Sequence, residues 1–405
     1  MRSATAVSHE LDNIEAAASE LAGQIREKLA FGRNSVAILH GQPDTETGRL
    51  SAALKRELGC HVIGGTAAGA AVLTSGGHHE LAVALHVLTG DDCLFSPAIS
   101  GSLADSPREE IRGAWEKAYR GMKEQDSGAE PKMVLCIAPT VQGISPDQIL
   151  AELSEASGSL PIFGYIAADD FEFGKQKVFC DGESAGDRMA ILILSGNINP
   201  VFQVAALAGK NTREKIQVTC SRGNIIREID GRPAYEYIKK IPSFDDKTKV
   251  LWNYQFFVEM ESPADNDSVP VPRVLDTYDK DSGEVSCFAE VPQGSTINLM
   301  YCEGDDVAAS SEAALKEFAE KIKAADGAEG KDGSRYSTLL VASCSLRNMF
   351  LAGNKEIEGN LIKKLIPANL AVSGLYGFGE MAPARFRGGR AVNRIHNATI
   401  AMCAI

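Results

Sequence analysis

Apolar residues recur in one fixed order three times along the chain. The run "SVAILHG" (35–41) precedes a stretch with Leu50, Leu54 and Leu58 at four-residue spacing, then "HVIGGT" (61–66) and "LAVALHVL" (81–88). "KMVLCIAP" (132–139) is followed by Ile149, Leu150 and Leu153, "PIFGYI" (161–166) and "MAILILSG" (189–196). "STLLVASC" (337–344) leads to a helix around 357–365, "AVSGLY" (371–376) and "NATIAMCAI" (397–405). Unbroken apolar runs predict strands covered on both faces. Four-residue spacing predicts helices with one apolar face. Each final strand follows without a second long helix and is predicted antiparallel to its neighbour.

The remaining pattern fills in the frame. Residues 1–30 read as an arm and an amphipathic helix with Ile14, Ala17, Leu21 and Ile25 on one face. Ser145 to Gln148 and Ser106 to Glu109 each read as a capping box with proline at the first helical position. Residues 215–305 are richer in strand signals, with strands at 250–260 and 295–302. Pro263, Pro270 and Pro272 predict a loop over 262–272. Leu315, Phe318 and Ile322 mark a further helix, and 324–335 reads as a flexible linker. The fold class is therefore α/β (α+β). Mixed sheets are built from repeated strand-helix-strand-strand units, in two domains, 31–230 and 231–405, after the 1–30 arm.

Gly64, Gly164 and Gly374 occupy equivalent places, which makes "GGTAAG" (64–69), "GYIAADD" (164–170) and "GLYGFGE" (374–380) three versions of one bend. Bare backbone lets a ligand or another chain come close. The competing reading is that the bends only turn the chain. Asp169, Asp170 and Glu380 place carboxylates beside them.

Composition narrows the classes. With 44% hydrophobic and 23% charged residues the chain suits a globular core. A formal charge of −13 argues against nucleic acid as a partner. No apolar run approaches a membrane span and the N-terminus has no apolar leader segment. Nine singly placed cysteines without a C-x-x-C pair point to a reducing cytoplasm.

Familiar catalytic motifs are missing: no P-loop, no G-x-S-x-G, no H-E-x-x-H and no dinucleotide fingerprint in context. We read this as a non-enzyme, with no catalytic and no metal residues assigned. Adjacent His78 and His79 point apart in an extended chain and make a poor metal pair. His40, His61 and His86 fall in predicted strands and read as core or edge histidines. Cys344 and Arg347 end the first strand of the third unit, where α/β sheets place ligands. Arg347 suits a carboxylate or phosphate, or an ion pair with an acid such as Glu380. An enzyme with Cys344 as nucleophile is the least favoured reading. Asn397 is placed to bond backbone near the third bend.

These residues resemble the FIST family. "VIGGTAAG", "IFGYIAADD", "VFCDGESAGDRMAILILSG" and "VTCSRGNIIREIDGRPAYEYI" resemble the FIST N domain, and "SCSLR", "GLYGFGEMAP" and "HNATI" the FIST C domain. The resemblance implies an intracellular sensor of small molecules such as amino acids, acting in signal transduction. Its pattern falls on Gly64, Thr66, Gly69, Ala168 and Asp169, and on Cys344, Arg347, Tyr376, Gly379, Glu380, His396 and Asn397. Asp170 joins the candidate ligand-binding set from the residue reading, while Ala168 and His396 are left out of it. Gly65, Ala70 and Ala398 depart from the family pattern. One branch resembles haem-binding nitric-oxide sensors, but its His-Phe pair has no counterpart in "AALAGKNTREKIQVT" (205–219). Haem therefore stays an alternative, and the cofactor is not identified. A scaffold without a small ligand is a second alternative. No output domain is seen in the sequence, so a signalling partner or a homo-oligomer is expected.

Overall fold

The computed structural model describes residues 1–405 except 208, 212, 213, 242, 243, 246, 248, 249, 263–266, 328–334 and 386–390. Its frame is three six-stranded mixed sheets with one shared strand order. In the first, Arg2–Ser8 pairs with Val83–Gly90, which pairs with Asn34–Gly41, then His61–Thr66 and the hairpin Val178–Cys180/Glu183–Ala185. In the second, the same places are taken by Cys93–Ile99, Ala190–Gly196, Pro131–Ala138, Ile162–Ile166 and the hairpin Glu380–Arg385/Ala391–His396. In the third they are Val201–Ala206, Thr399–Ala404, Thr338–Cys344, Ala371–Gly377 and the hairpin Ala71–Thr74/Gly77–Glu80. Each central pair is parallel, and each final strand is antiparallel to it, as the apolar pattern predicts.

The hairpins are exchanged. Each leaves the strand that starts it and completes a neighbouring sheet: the first unit's hairpin joins the third sheet, the second's the first, and the third's the second. The inner faces of all three sheets share one core, with Ile38 and Ile63, Leu135 and Phe163, and Leu340 and Leu375 among its members. Outer faces are covered by helices, Ile14–Lys28 and Thr47–Leu58 on the first sheet, Pro107–Gln125 and Pro146–Ala156 on the second, Gly304–Gly327 and Ile357–Leu365 on the third. That double coverage is why the strands read as unbroken apolar runs.

A fourth sheet, antiparallel throughout, is inserted between Val201–Ala206 and Gly304–Gly327. Its strands Thr296–Tyr301 and Tyr254–Ser262 pair with each other as well as with their other neighbours, which closes it into a barrel around Val218, Phe256, Val271 and Leu275. The loop expected over 262–272 is instead largely strand, Asp267–Tyr278. Pro270 and Pro272 pair only with the Tyr254–Ser262 strand, opposite Glu259 and Phe257, and edge positions tolerate a missing N–H. Residues 263–266 of that expectation lie outside the described residues.

Ser145 makes the expected capping box with Gln148. Ser106 does not: it precedes helix Pro107–Gln125, but its side chain makes no cap bond. Its backbone sits at φ −140° and ψ 64°, off the extended geometry of Ser145. Residues 324–327 of the expected linker are instead the end of helix Gly304–Gly327, and 328–334 lie outside the described residues.

Gly64, Gly164 and Gly374 lie inside strands. A Cβ on Gly164 would stand 1.8 Å from the Cys136 carbonyl oxygen of the neighbouring strand. Glycine is required there by close main-chain packing. Gly164→Ala is expected to lower stability by about 3 kcal/mol in urea unfolding. Gly113→Ala, at an open helix position, should raise it by about 0.5 kcal/mol. Equal effects would contradict the packing argument.

A candidate site where the three bends meet

The three bends follow the carboxyl ends of parallel strands, and hydrogen bonds tie them together. Thr66 Oγ1 donates to Ala168 O at 2.7 Å, and Ala168 N donates to Thr66 O at 2.9 Å. Gly69, at φ 67°, donates its N–H to Asp170 Oδ1 at 2.8 Å. Ile166 N donates to Gly379 O at 2.9 Å, and Phe378 N to Ile166 O at 3.0 Å. The side chain of Asn348 lies against Gly69, where an added Cβ would stand 2.5 Å from Nδ2. Thr66, Gly69, Asp169, Asp170 and Gly379 are thus brought to one junction, whereas Gly64 lies back inside its strand between Leu39 and Phe179.

Several of these residues build the junction. Thr66 Oγ1 also accepts from Lys177 N at 2.9 Å. Asp169 accepts four main-chain N–H bonds of 2.8–3.0 Å from residues 172–175. Burial pushes its carboxyl up, but those amides outweigh burial and hold it below the usual carboxylate range. Both oxygens are used, so Asp169 shapes the loop. Phe171 and Phe173 in that loop have φ of 64° and 56°. They pack with Phe378, Trp252 and Phe288, which joins the loop to the barrel.

Beside the junction lies a buried ion pair. Arg347, on helix Ser345–Phe350, donates to Glu358 Oε1 from Nε at 3.0 Å and from Nη2 at 2.9 Å. Both side chains are fully buried. Ser311 accepts from Arg347 Nη2 at 2.7 Å and donates to Glu358 Oε1 at 2.7 Å, and Ser343 donates to Oε2 at 2.9 Å. The expected partner, Glu380, is replaced by Glu358 because helix Ile357–Leu365 carries Glu358 inward onto the strand end.

Glu380 has a different environment. Its Oε2 accepts from Thr399 Oγ1 at 2.6 Å and Thr399 N at 3.2 Å. Its Oε1 has no protein partner among the described residues. Burial pushes its carboxyl up to about 8 despite the Thr399 bonds. Arg347 Nη1, Asn348 Oδ1 and Asn397 Oδ1 likewise have no protein partner. These atoms belong to segments that adjoin in register: Cys344 opposes Gly377, and Glu380 opposes His396. The Tyr376 hydroxyl approaches Glu358 without closing to a hydrogen bond, and burial raises its pKa first, Glu358 second. Asn397 Nδ2 donates to the His396 carbonyl at 3.2 Å. Cys344 is buried, and burial and Glu380 push its thiol up, so it is a poor nucleophile.

Three buried histidines are bonded to protein groups. His40 meets Ser373 Oγ at 2.9 Å, His86 meets Thr5 Oγ1 at 2.8 Å, and His396 meets the Ala382 carbonyl at 3.3 Å. Burial lowers all three to about 3, so they sit neutral inside the sheets.

With this geometry in place, comparison with known proteins decides the family. The FIST N domain matches residues 35–232 and the FIST C domain residues 238–383. The chain belongs to the FIST family. FIST domains are associated with small-ligand sensing and signal transduction. No curated protein matches the chain. Among solved structures, a cyanuric acid hydrolase is 8% identical with a TM-score of 0.37, each chain covered in full. The cyanuric acid hydrolase from A. caulinodans is 9% identical with a TM-score of 0.35, each chain covered to 99%. Phosphoribosylformylglycinamidine synthase II from Thermotoga maritima is 11% identical with a TM-score of 0.20, covering 99% of this chain and 72% of that one. The full-length similarity to hydrolases overturns the expectation of a non-enzyme, which rested only on missing motifs. At such TM-scores it assigns no reaction to this FIST protein. Among the described residues, no helix is long and apolar enough to cross a membrane.

Sequence reasoning missed Glu358, Ser311, Ser343, Asn348 and Thr399. A signal existed for Ser311. Val307, Ala314, Leu315 and Phe318 share its buried face, so a serine there marks a polar group inside the core.

Glu358→Gln is expected to destabilise the protein by about 3–5 kcal/mol, because a buried guanidinium loses its counter-charge. The double variant Arg347→Met/Glu358→Leu should recover most of that loss in chemical unfolding. Equal loss in both would contradict the electrostatic origin. Glu380 holds its proton more tightly when folded than unfolded. Its contribution is complete at acid pH and is lost as pH rises from the ordinary carboxylate range through about 8. The melting temperature of wild type relative to Glu380→Gln should therefore fall between pH 5 and 8. A flat difference would contradict the assigned environment.

Proposed function

We propose that this FIST protein is an intracellular sensor that binds a small amphoteric molecule, an amino acid or related metabolite, at the junction of the three bends. The observation that carries this reading is the group of open buried atoms: Arg347 Nη1, Asn348 Oδ1, Glu380 Oε1 and Asn397 Oδ1. A buried polar atom without a partner costs about 1–3 kcal/mol, and a ligand offering both a carboxylate and an amine would satisfy donor and acceptors together. Arg347 Nη1 meets the carboxylate. Glu380 meets the amine, a role Asp169 cannot share because both its oxygens are engaged. Helix Ser345–Phe350 carries Arg347 and Asn348, so binding biases the position of that helix. The signal then passes to a separate partner protein in the cytoplasm.

Pairing with an ammonium group requires Glu380 to release its proton. Affinity should therefore rise several-fold between pH 6 and 8. A thermal-shift screen of amino acids and their amides at pH 8 tests the reading. At least one compound is expected to raise the melting temperature, with the shift reduced in Glu380→Gln. No shift from any compound, or a shift unchanged by that substitution, would overturn it.

A further inference from the structure

A second site lies away from the junction, where the barrel, helix Pro146–Ala156 and the exchanged hairpin of the third unit meet. A cavity of about 350 Å³ opens there. Leu150, Met260, Pro292 and Ile395 give it apolar walls, and four charged side chains line it: Asp147, Arg273, Glu290 and Arg394.

Three of the four charges are engaged. Arg273 is fully buried, with Nη2 on Asp147 Oδ1 at 3.0 Å, Nε on Glu290 O at 2.7 Å and Nη1 on Ile395 O at 2.8 Å. The other Asp147 oxygen accepts from Glu290 N at 2.9 Å. Glu290 Oε1 accepts from the Ser145 hydroxyl. Arg394 differs: among the described residues it makes no hydrogen bond and no ion pair, and its Nε is buried without a partner. It also lies close enough to Arg273 and Asp147 to feel both charges: burial first and Arg273 second weaken its hold on its proton, and Asp147 opposes them without forming an ion pair. An unpaired, partly desolvated guanidinium beside a cavity is costly unless an anion completes it.

We propose that this cavity binds a small organic monocarboxylate, its carboxylate on Arg394 and its hydrocarbon part against Leu150 and Met260. The nearby Asp147 and Glu290 carboxylates select one negative charge over two, which disfavours phosphate and dicarboxylates. The apolar walls favour a hydrocarbon body over a bare ion. The site is independent of the junction, so it can stand or fall without the sensor reading. It joins the barrel to the third unit's hairpin, whose first strand carries Glu380.

Calorimetric titration of the full chain with butyrate tests the proposal, with butyramide, succinate and inorganic phosphate as comparisons. Butyrate should saturate one site, and butyramide, succinate and phosphate should each bind about ten-fold more weakly or not at all. Arg394→Gln should weaken butyrate about ten-fold, and Arg394→Lys less. Ala151→Trp, which fills the cavity from the helix, should abolish binding while the melting temperature stays near wild type. Equal binding of butyramide, tighter binding of phosphate or succinate, undiminished affinity in Arg394→Gln or Ala151→Trp, or no butyrate binding up to about 50 mM would overturn it.

Discussion

Arg347 sits at zero exposure, and the arrangement around it follows from that fact. A buried guanidinium is tolerated only with a counter-charge and filled donors. Glu358 supplies the charge, and Ser311 and Ser343 complete the shell from a helix and a strand of the same unit. Because two donors of Arg347 converge on one Glu358 oxygen, Nη1 is left over. The same pairing leaves Glu380 without a cation, and burial then keeps its proton on. One ion pair thus fixes both the open donor and the neutral acid of the junction.

The exchanged hairpins explain how such groups come together. Glu380 begins a hairpin that belongs to the second sheet, while Thr399 returns in the third. Gly69 precedes a hairpin that leaves the first unit for the third sheet, which brings it beside Asn348. A chain that kept each hairpin at home would separate these residues. Close main-chain packing at Gly164 and its counterparts lets the strands pass. Fold and junction therefore have one cause, the crossing of three similar units.

Much of the frame was legible because period and apolar runs are local signals. The parallel pairs, the antiparallel final strands and the Ser145 cap all follow from short stretches. The exchange of hairpins was not legible, since nothing in "VLTSGGHHE" says which sheet it will join. The prolines at 270 and 272 misled for a related reason: whether a strand edge is free is a tertiary fact. At the junction, Arg347 and Glu380 stood out beside the strand ends and bends, whereas nothing local sets Glu358 apart from the other polar residues of its helix. Its burial depends on which way that helix faces. Asp169 was visible as a carboxylate, but its engagement with four amides depends on the backbone of the following residues.

The central claim is that the open polar atoms around Arg347 and Glu380 receive a small solute. High-resolution diffraction from protein purified without added ligand, or soaked with a compound found to bind, tests it most directly. The account predicts compact density of several connected atoms within hydrogen-bond distance of Arg347 Nη1 and Glu380 Oε1. Side chains packed into that space, with those two atoms bonded to one another or to neighbouring protein groups, would contradict it.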